Sequence, residues 1–328
     1  MHIRSIISTL NPGRRLAALG AGFTLIALAF GAQFASADDN GYSRGEHIEP
    51  AYEGWRDNPD GTTTFFFGYM NENWEEEVDV PVGDENMFSP GAADRGQPTH
   101  FLPRRNRFTF EVIMPVGWAD DQELVWTLTS NGKTRKAYAS KLKDFTVDDQ
   151  IIASETGSLS GGFSTPETRS NVGPTAVVQG DTVNGEHIRN VRVGEELTLV
   201  THVTDDGIPK PRFTTEFFTK IPLALRMMRP PSRATVSKFN GLWHSWSVYR
   251  GEGEGTVHFS EPQTKVWEDT RPASNSPWGS LWVPPAVPED GNYSATVTFD
   301  KPGTYVLWGR TDDGALYADN YVTVNVSP

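Results

Sequence analysis

The chain has 328 residues, no cysteine, and 42 acidic against 29 basic residues, which gives a formal net charge of −13. Without cysteine, the chain has no disulfide, no thiol nucleophile and no cysteine-linked lipid. Its excess of negative charge repels phosphate backbones, so we expect no nucleic-acid partner.

The amino terminus has the pattern of a secretory signal peptide over residues 1–37. Three arginines precede an apolar run at 16–34, which ends in Ala35-Ser36-Ala37, a small-x-small cleavage site. The alternative is an uncleaved anchor, because the run approaches the ~20 apolar residues that span a bilayer. We expect cleavage, which removes 37 of the 328 residues and three basic ones, leaving 291 residues with 26 basic, 42 acidic and a net charge of −16. This mature chain would be periplasmic or extracellular, with no stable membrane insertion.

Alternating apolar and polar residues predict strands through the first half of the mature chain. They predict a first antiparallel β-sandwich domain at 40–150, with strands at 62–70, 75–82, 107–115, 124–129 and 134–139. The turn Asn131-Gly132 between the last two predicts a tight hairpin, since both residues tolerate positive φ. We expect the stretch rich in proline and glycine from Asp84 to Arg105 to form a long surface loop.

A stretch rich in Gly, Ser and Thr at 154–173 has little to bury, and it predicts an interdomain linker or mobile loop. Seven strands with turn signals between them are then expected at 176–178, 196–203, 243–249, 255–259, 293–299, 303–310 and 320–326. This number and spacing predict an immunoglobulin-type sandwich at 174–328. The fold class is therefore all-β, with two antiparallel β-sandwich domains. The apolar segment Phe217–Met228, bounded by Pro230-Pro231, could form a short helix. It is expected to close the end of the core as a loop, and the alternative is a binding lip.

The second half resembles the PKD-like immunoglobulin-type repeats of bacterial surface and secreted proteins. The resemblance is carried by Val193–Pro209, Trp246–Gly251, Gly255–Phe259, Ala295–Leu307, Thr311–Ala315 and Tyr321–Val326. It covers roughly 174–328 and departs from the pattern at 211–235 and 266–290. The resemblance implies an immunoglobulin-type fold and a binding or spacer module without a catalytic residue. The first half only loosely resembles uncharacterised bacterial secreted proteins, and nothing is carried over from them.

The sequence gives little indication of catalysis. Its one Gly-x-Ser-x-Gly match, at 41–45, precedes every predicted strand, whereas the nucleophile motif lies on a turn that follows a strand. The sequence contains no His-x-x-x-His spacing, and its histidines are scattered. We therefore expect no enzyme and no catalytic residue. The alternative is a hydrolase with an acidic site in the first domain, which a pocket bringing Glu and Asp side chains to His100 would favour.

Two acidic turns are candidate calcium sites. Asp205-Asp206-Gly207 and Asp312-Asp313-Gly314 each follow a predicted strand, and carboxylate oxygens are ligands that Ca²⁺ prefers. The alternative is structural, because Asp and Gly are favoured turn residues. No other cofactor is expected.

Tryptophan gives the strongest indication of binding. Six of the ten Trp residues lie between Trp243 and Trp308, and Trp278 and Trp282 fall in a segment too rich in proline for a regular strand. Exposed there, they would stack on sugar rings or on a protein partner; the alternative is that they cover the end of the core. Trp246, in the middle of a strand, is expected to be buried.

The sequence as a whole predicts an exported, non-enzymatic binding or structural module of the bacterial surface, matrix or periplasm. Its expected partner is a protein or polysaccharide surface ligand. A carbohydrate-binding protein that uses the loop of Trp278 and Trp282 is one alternative, and the hydrolase is the other.

Overall fold

The computed structural model describes residues 44–73, 76–155, 166, 168–210, 241–251, 255–260, 263 and 286–328. The first half of this region contains eight described strands, a 3₁₀ turn at Lys143–Phe145 and the helix α1 at Asp149–Glu155. The strands are β1 (Ile48–Asp57), β2 (Thr63–Asn71), β3 (Val78–Asp79), β4 (Asn86–Ser89), β5 (His100–Phe101), β6 (Arg104–Met114), β7 (Leu124–Ser130) and β8 (Lys133–Ala139). The predicted all-β fold class is confirmed.

The second half begins with a 3₁₀ turn at Thr168–Ser170 and contains eight further described strands. These are β9 (Thr175–Val178), β10 (His187–Arg192), β11 (Leu197–Thr204), β12 (Trp243–Arg250), β13 (Val257–Phe259), β14 (Asn292–Phe299), β15 (Gly303–Asp312) and β16 (Tyr317–Ser327). No helix among all these described residues is long and apolar enough to cross a membrane.

In the first half, the strands form the sheets β1-β2-β6, β4-β7-β8 and β3-β5. The two larger sheets enclose an aromatic core, in which the Phe67 ring lies 5.4 Å from Phe110 and 6.1 Å from Trp126. Nearly every residue of strand β2 is buried, because the main core covers one face of the strand and α1 packs on the other. Phe65 and Phe67 belong to the main core, whereas Phe66 packs with α1.

The hairpin predicted between β7 and β8 is confirmed. Asn131 and Gly132 have φ values of +46° and +72°, and the flanking residues Ser130 and Lys133 pair across the turn. Both turn residues therefore occupy the left-handed region that the right-handed twist of a two-residue hairpin favours.

The surface loop expected from Asp84 to Arg105 is wrong in part. This stretch contains β4 and β5, and Phe88 and Phe101 within it are fully buried. Its short strands pair with distant residues, Phe88 with Trp126 and Phe101 with Val78, so their periodicity is too brief to detect in the sequence. Conversely, the strand expected at 75–82 is reduced to Val78–Asp79 in its described part.

The second half has immunoglobulin topology. Its two sheets have the orders β13-β14-β11-β9 and β10-β16-β15-β12, and β10 runs parallel to β16. Lettered in chain order from A and A′ to G, these are the sheets D-E-B-A and A′-G-F-C of an immunoglobulin-type sandwich. The seven predicted strands are all present, and the sequence patterns missed β10.

Two side chains of this sandwich occupy positions typical of immunoglobulin domains. Trp246 on β12, the C strand, is 2% exposed and lies in the core between the sheets, as predicted. Tyr305 near the start of β15, the F strand, donates a hydrogen bond from its hydroxyl to the Lys301 carbonyl at 3.1 Å. This backward bond to the preceding corner is the tyrosine corner of the fold. The sequence therefore builds an immunoglobulin core without the usual disulfide.

The two halves share buried residues, and the described residues from 44 onward belong to one compact unit. A single hydrophobic cluster includes Phe101 and Trp126 from the first half and Tyr249 and Trp308 from the second. The backbone also crosses the junction, since the Thr99 amide donates to the Tyr249 carbonyl at 3.0 Å. The division at 154–173 stays a prediction, and 156–165, 167 and Phe217–Met228 lie outside the described residues.

Candidate functional site

The two aspartate pairs predicted as calcium ligands lie where β11 and β15 end and their turns begin. Asp205 and Asp206 accept hydrogen bonds from the Gly207 and Ile208 amides, each at 2.8 Å. In the second turn, Asp312 accepts from the Gly314 amide at 2.6 Å, and Asp313 accepts from the amides of residues 315 and 316 at 2.6 and 2.7 Å. Each carboxylate thus satisfies amides of its own turn.

The dipeptide Asn171-Val172 brings the two acidic turns together. The Asn171 side-chain amide donates to Asp313 Oδ2 at 3.0 Å, and the Val172 backbone amide donates to Asp206 Oδ2 at 2.9 Å. Asp206 and Asp313 are 107 positions apart in the sequence. Nothing in the sequence indicates that one short segment contacts both turns.

The electrostatics of these turns differ from those of ordinary surface aspartates. Burial and then the charge of Asp312 raise the pKa of Asp313 to about 7, against the hydrogen bonds that its carboxylate accepts. Burial and the neighbouring Asp206 charge also raise the pKa of Asp205. Such shifts arise where a carboxylate loses water and sits beside a like charge.

The geometry of the aspartates fits a role in shaping the turns better than a role in holding a metal. Ca²⁺ takes about six to eight oxygen ligands, whereas most carboxylate oxygens here already accept amide hydrogens. The buried oxygens Asp205 Oδ1 and Asn171 Oδ1 have no hydrogen-bond partner among the described residues, but such oxygens fall well short of the number that Ca²⁺ takes. In the described part of the chain, no group of three or more His, Asp or Glu side chains is arranged to hold a metal ion. Calcium binding at these turns stays a prediction.

The other predicted site residues, Trp278 and Trp282, lie outside the described residues. Their role in binding therefore also stays a prediction.

A histidine and two carboxylates converge in the first half, on the two-stranded sheet β3-β5. His100 Nδ1 lies 2.9 Å from Asp79 Oδ1, and His100 Nε2 lies 2.9 Å from Glu77 Oε2. Burial alone lowers the pKa of His100, but the hydrogen bonds and charges of Asp79 and Glu77 raise it to about 9. The His100 hydrogen bond also lowers the pKa of Glu77.

In this arrangement a protonated His100 forms salt bridges with Glu77 and Asp79, and it does not act as a general base. An imidazolium that donates from both ring nitrogens has no free lone pair with which to accept a proton. The feature expected to favour a hydrolase is a pocket that brings Glu and Asp side chains to His100. Glu77 and Asp79 do contact His100, but a protonated imidazole cannot act as a base at neutral pH.

A buried polar cluster lies at the junction of the halves, and it was not predicted from the sequence. Arg310 on β15 is 1% exposed and donates from Nε and Nη2 to the two Asp319 oxygens, at 2.6 Å each. Arg310 Nη2 also donates to the Phe108 carbonyl of the first half at 2.6 Å. Its guanidinium lies 3.9 Å from the Tyr317 ring centre and 4.6 Å from that of Trp308.

The Arg310 cluster has the features of a structural joint. The planar guanidinium of Arg310 pairs through two hydrogen bonds with Asp319 and stacks on the rings of Tyr317 and Trp308, which holds it in one position. Burial by itself lowers the pKa of Arg310, but the Asp319 charge and hydrogen bonds raise it, so the residue stays charged. The only signal in the sequence is an arginine at a buried position of an apolar strand, which by itself names no partner.

Comparisons with known proteins give weak likenesses only. No family model matches the sequence, and no curated protein matches it. Among solved structures, the chain is similar to a nucleoside hydrolase-related hypothetical protein from Saccharophagus degradans associated with carbohydrate metabolism, at 16% identity and a TM-score of 0.26, over 60% of this chain and 36% of that one. The chain thus spans about a third of that protein's length.

Two further likenesses are to tandem-domain proteins. A chimeric titin Z1Z2 is 12% identical with a TM-score of 0.22, covering 86% of this chain and all of its own. The D00-D0 domain of intimin is 10% identical with a TM-score of 0.22, covering 85% and 99%. Similarity this low carries no argument about activity, and the immunoglobulin-like assignment rests on the strand order and the tyrosine corner described above.

Proposed function

We propose that the protein is an exported, non-enzymatic binding or structural module, in which the first β-sandwich is fixed rigidly to a PKD-like immunoglobulin-type domain. The observation that carries this proposal is the buried joint at Arg310. A charged side chain is costly to bury unless it is fully paired. Here the pairing extends across both halves, through Asp319 on one side and the Phe108 carbonyl on the other.

Further contacts around the joint restrict movement between the halves. Arg250 forms a salt bridge with Asp94 at 2.7 Å and donates from Nε to the Gln97 carbonyl at 2.8 Å. The Tyr249 hydroxyl donates to the Gly96 carbonyl. Directional bonds at several points fix a mutual orientation, which a flexible tether would not do. A rigid pair of sandwiches suits a spacer or a scaffold that presents loops and sheet faces to a partner.

The non-enzymatic part of the proposal rests on the chemistry of the described residues. In the cluster of His100, Asp79 and Glu77, His100 is an imidazolium that donates a hydrogen bond from each ring nitrogen. The paired aspartates are occupied by amides of their own turns. Neither arrangement supplies an activated nucleophile or a free base.

Rigidity of the joint is directly measurable, because the chain contains no cysteine. We would place spin labels on cysteines introduced at Ile113 of β6 and Val177 of β9, which are 64% and 61% exposed. The expected result is one narrow distance distribution in the mature protein, and a second label pair at Val116 and Val177 should also give a single narrow distribution, about its own mean distance. A broad distribution in the wild-type background would mean that the halves are tethered loosely, and it would remove the main support for the proposal.

A further inference from the structure

Strand alternation divides the sheet β4-β7-β8 into two faces. The inner face buries Phe88, Trp126 and Ala137 in the core. The opposite face, here called the β7–β8 outer face, consists of half-buried and exposed residues. On these two strands it carries Val125, Thr127, Thr129, Thr134, Lys136 and Tyr138.

The β7–β8 outer face combines an aromatic ring with hydroxyl groups. Tyr138 is 55% exposed and pairs across the strands with Val125, which gives an apolar platform on an otherwise polar face. Thr127 lies opposite Lys136, and the Thr129 and Thr134 hydroxyls are bonded to each other at 2.8 Å. A flat surface with one stacking ring and several hydroxyls suits a sugar chain, whose rings offer C–H faces and whose hydroxyls both donate and accept.

The charge of this hairpin is opposite to that of the chain. Between Glu123 and Asp144 the sequence contains five basic residues and no acidic one. Three of the five have acidic partners: Lys133 pairs with Glu46, Arg135 with Glu49, and Lys141 with Asp57. Among the described residues Lys136 makes no ion pair, and it is exposed on the outer face. A protein with a net negative charge thus presents a cation beside its exposed tyrosine.

We propose that the β7–β8 outer face binds an acidic polysaccharide, with a sugar ring stacked on Tyr138 and a sugar carboxylate paired with Lys136. This inference rests on the proposed function as a binding module and names the chemistry of its partner. Charge complementarity at Lys136 favours a uronate-containing chain over a neutral one. The ring platform favours a sugar over an acidic peptide, which offers carboxylates without a stacking ring face.

Affinity electrophoresis of the mature protein in gels containing polygalacturonate tests the inference. Wild type should be retarded, and Tyr138→Ala should bind about tenfold more weakly, since stacking and the area it buries are worth about one factor of ten. Tyr138→Phe should keep the affinity because it keeps the ring. Lys136→Glu should abolish retardation, whereas the same charge change at Lys301, exposed in the turn between β14 and β15 of the second half, should leave it unchanged.

Two comparison gels decide against the inference. Equal retardation by polyglutamate would show that charge alone drives binding, and equal retardation by neutral hydroxyethyl cellulose would show that Lys136 selects nothing. Absence of retardation of wild type by polygalacturonate would also overturn it. None of these outcomes affects the spin-label distances, so failure of this inference and failure of the rigid-module proposal are distinguishable. Both variant sites are exposed, so thermal unfolding should match wild type and exclude misfolding as the cause.

Discussion

Arg310→Met is the most informative single substitution in the described part of the chain. It keeps much of the side-chain length but removes the charge and both bonds to Asp319. It also removes the donor to the Phe108 carbonyl across the junction. Asp319 would remain partly buried, with only 17% of its side chain exposed. The variant therefore leaves a carboxylate without its countercharge.

The expected loss of stability is large. Removing one partner of a buried ion pair costs about 3–5 kcal/mol, because the other charge stays desolvated and unpaired. At roughly 2–4 °C per kcal/mol for a protein of this size, the melting temperature should fall by about 6–20 °C. Trp308 Nε1 donates to Asp319 at 2.9 Å and would partly compensate, which favours the lower part of that range.

Differential scanning calorimetry of the mature protein measures this loss, with two controls. Lys133→Met removes a partly exposed pair with Glu46 and should cost no more than about 1 kcal/mol. The double variant Arg310→Met, Asp319→Leu removes both charges and should recover much of the lost stability. If Arg310→Met and Lys133→Met lower the melting temperature equally, the joint contributes no more than a surface pair and our account of the junction is wrong.

Four other predictions concern the amino terminus, the boundary between the halves, the tryptophans and His100. Amino-terminal sequencing of the exported protein should begin at Asp38, and recovery of Met1 would contradict the signal peptide. Limited proteolysis should cut first within 154–173, so a first cut inside a strand of the second half would place the boundary elsewhere. Trp278→Ala and Trp282→Ala should weaken ligand binding with little change in melting temperature; a loss of ~3–5 kcal/mol, as for a buried Trp, would mean that they belong to the core. Because the pKa of His100 is raised from 6.5 to about 9, the stability it contributes is complete below pH 6.5 and lost as pH rises through 9; urea denaturation should show this slope, and His100→Gln should lack it.

Strands with clear local patterns were predictable from the sequence. The β7–β8 hairpin combines strict alternation with an Asn-Gly turn, and both signals lie within 16 residues. The strands of the immunoglobulin half were predicted for the same reason, as one face of each packs on a single core. The prediction failed where pairing decides the structure: β4 and β5 have only four and two residues, and they exist because Trp126 and Val78 are placed beside them by the rest of the fold.

The candidate site was predictable in composition but not in arrangement. Asp-Asp-Gly predicts a turn from local chemistry alone, and both turns form as expected. Asn171 and Val172 contact both turns because of the path that the chain takes before β9. A local sequence pattern does not predict that path. The same limit applies to Arg310, whose bonds to the first half span 202 and 203 positions of sequence. Since the contacts described between the halves are of this kind, a substitution at the joint should change the relation between the sandwiches while leaving the strand pattern of each intact. Spin-label distances within one half and across the two halves of the Arg310→Met variant would separate these effects.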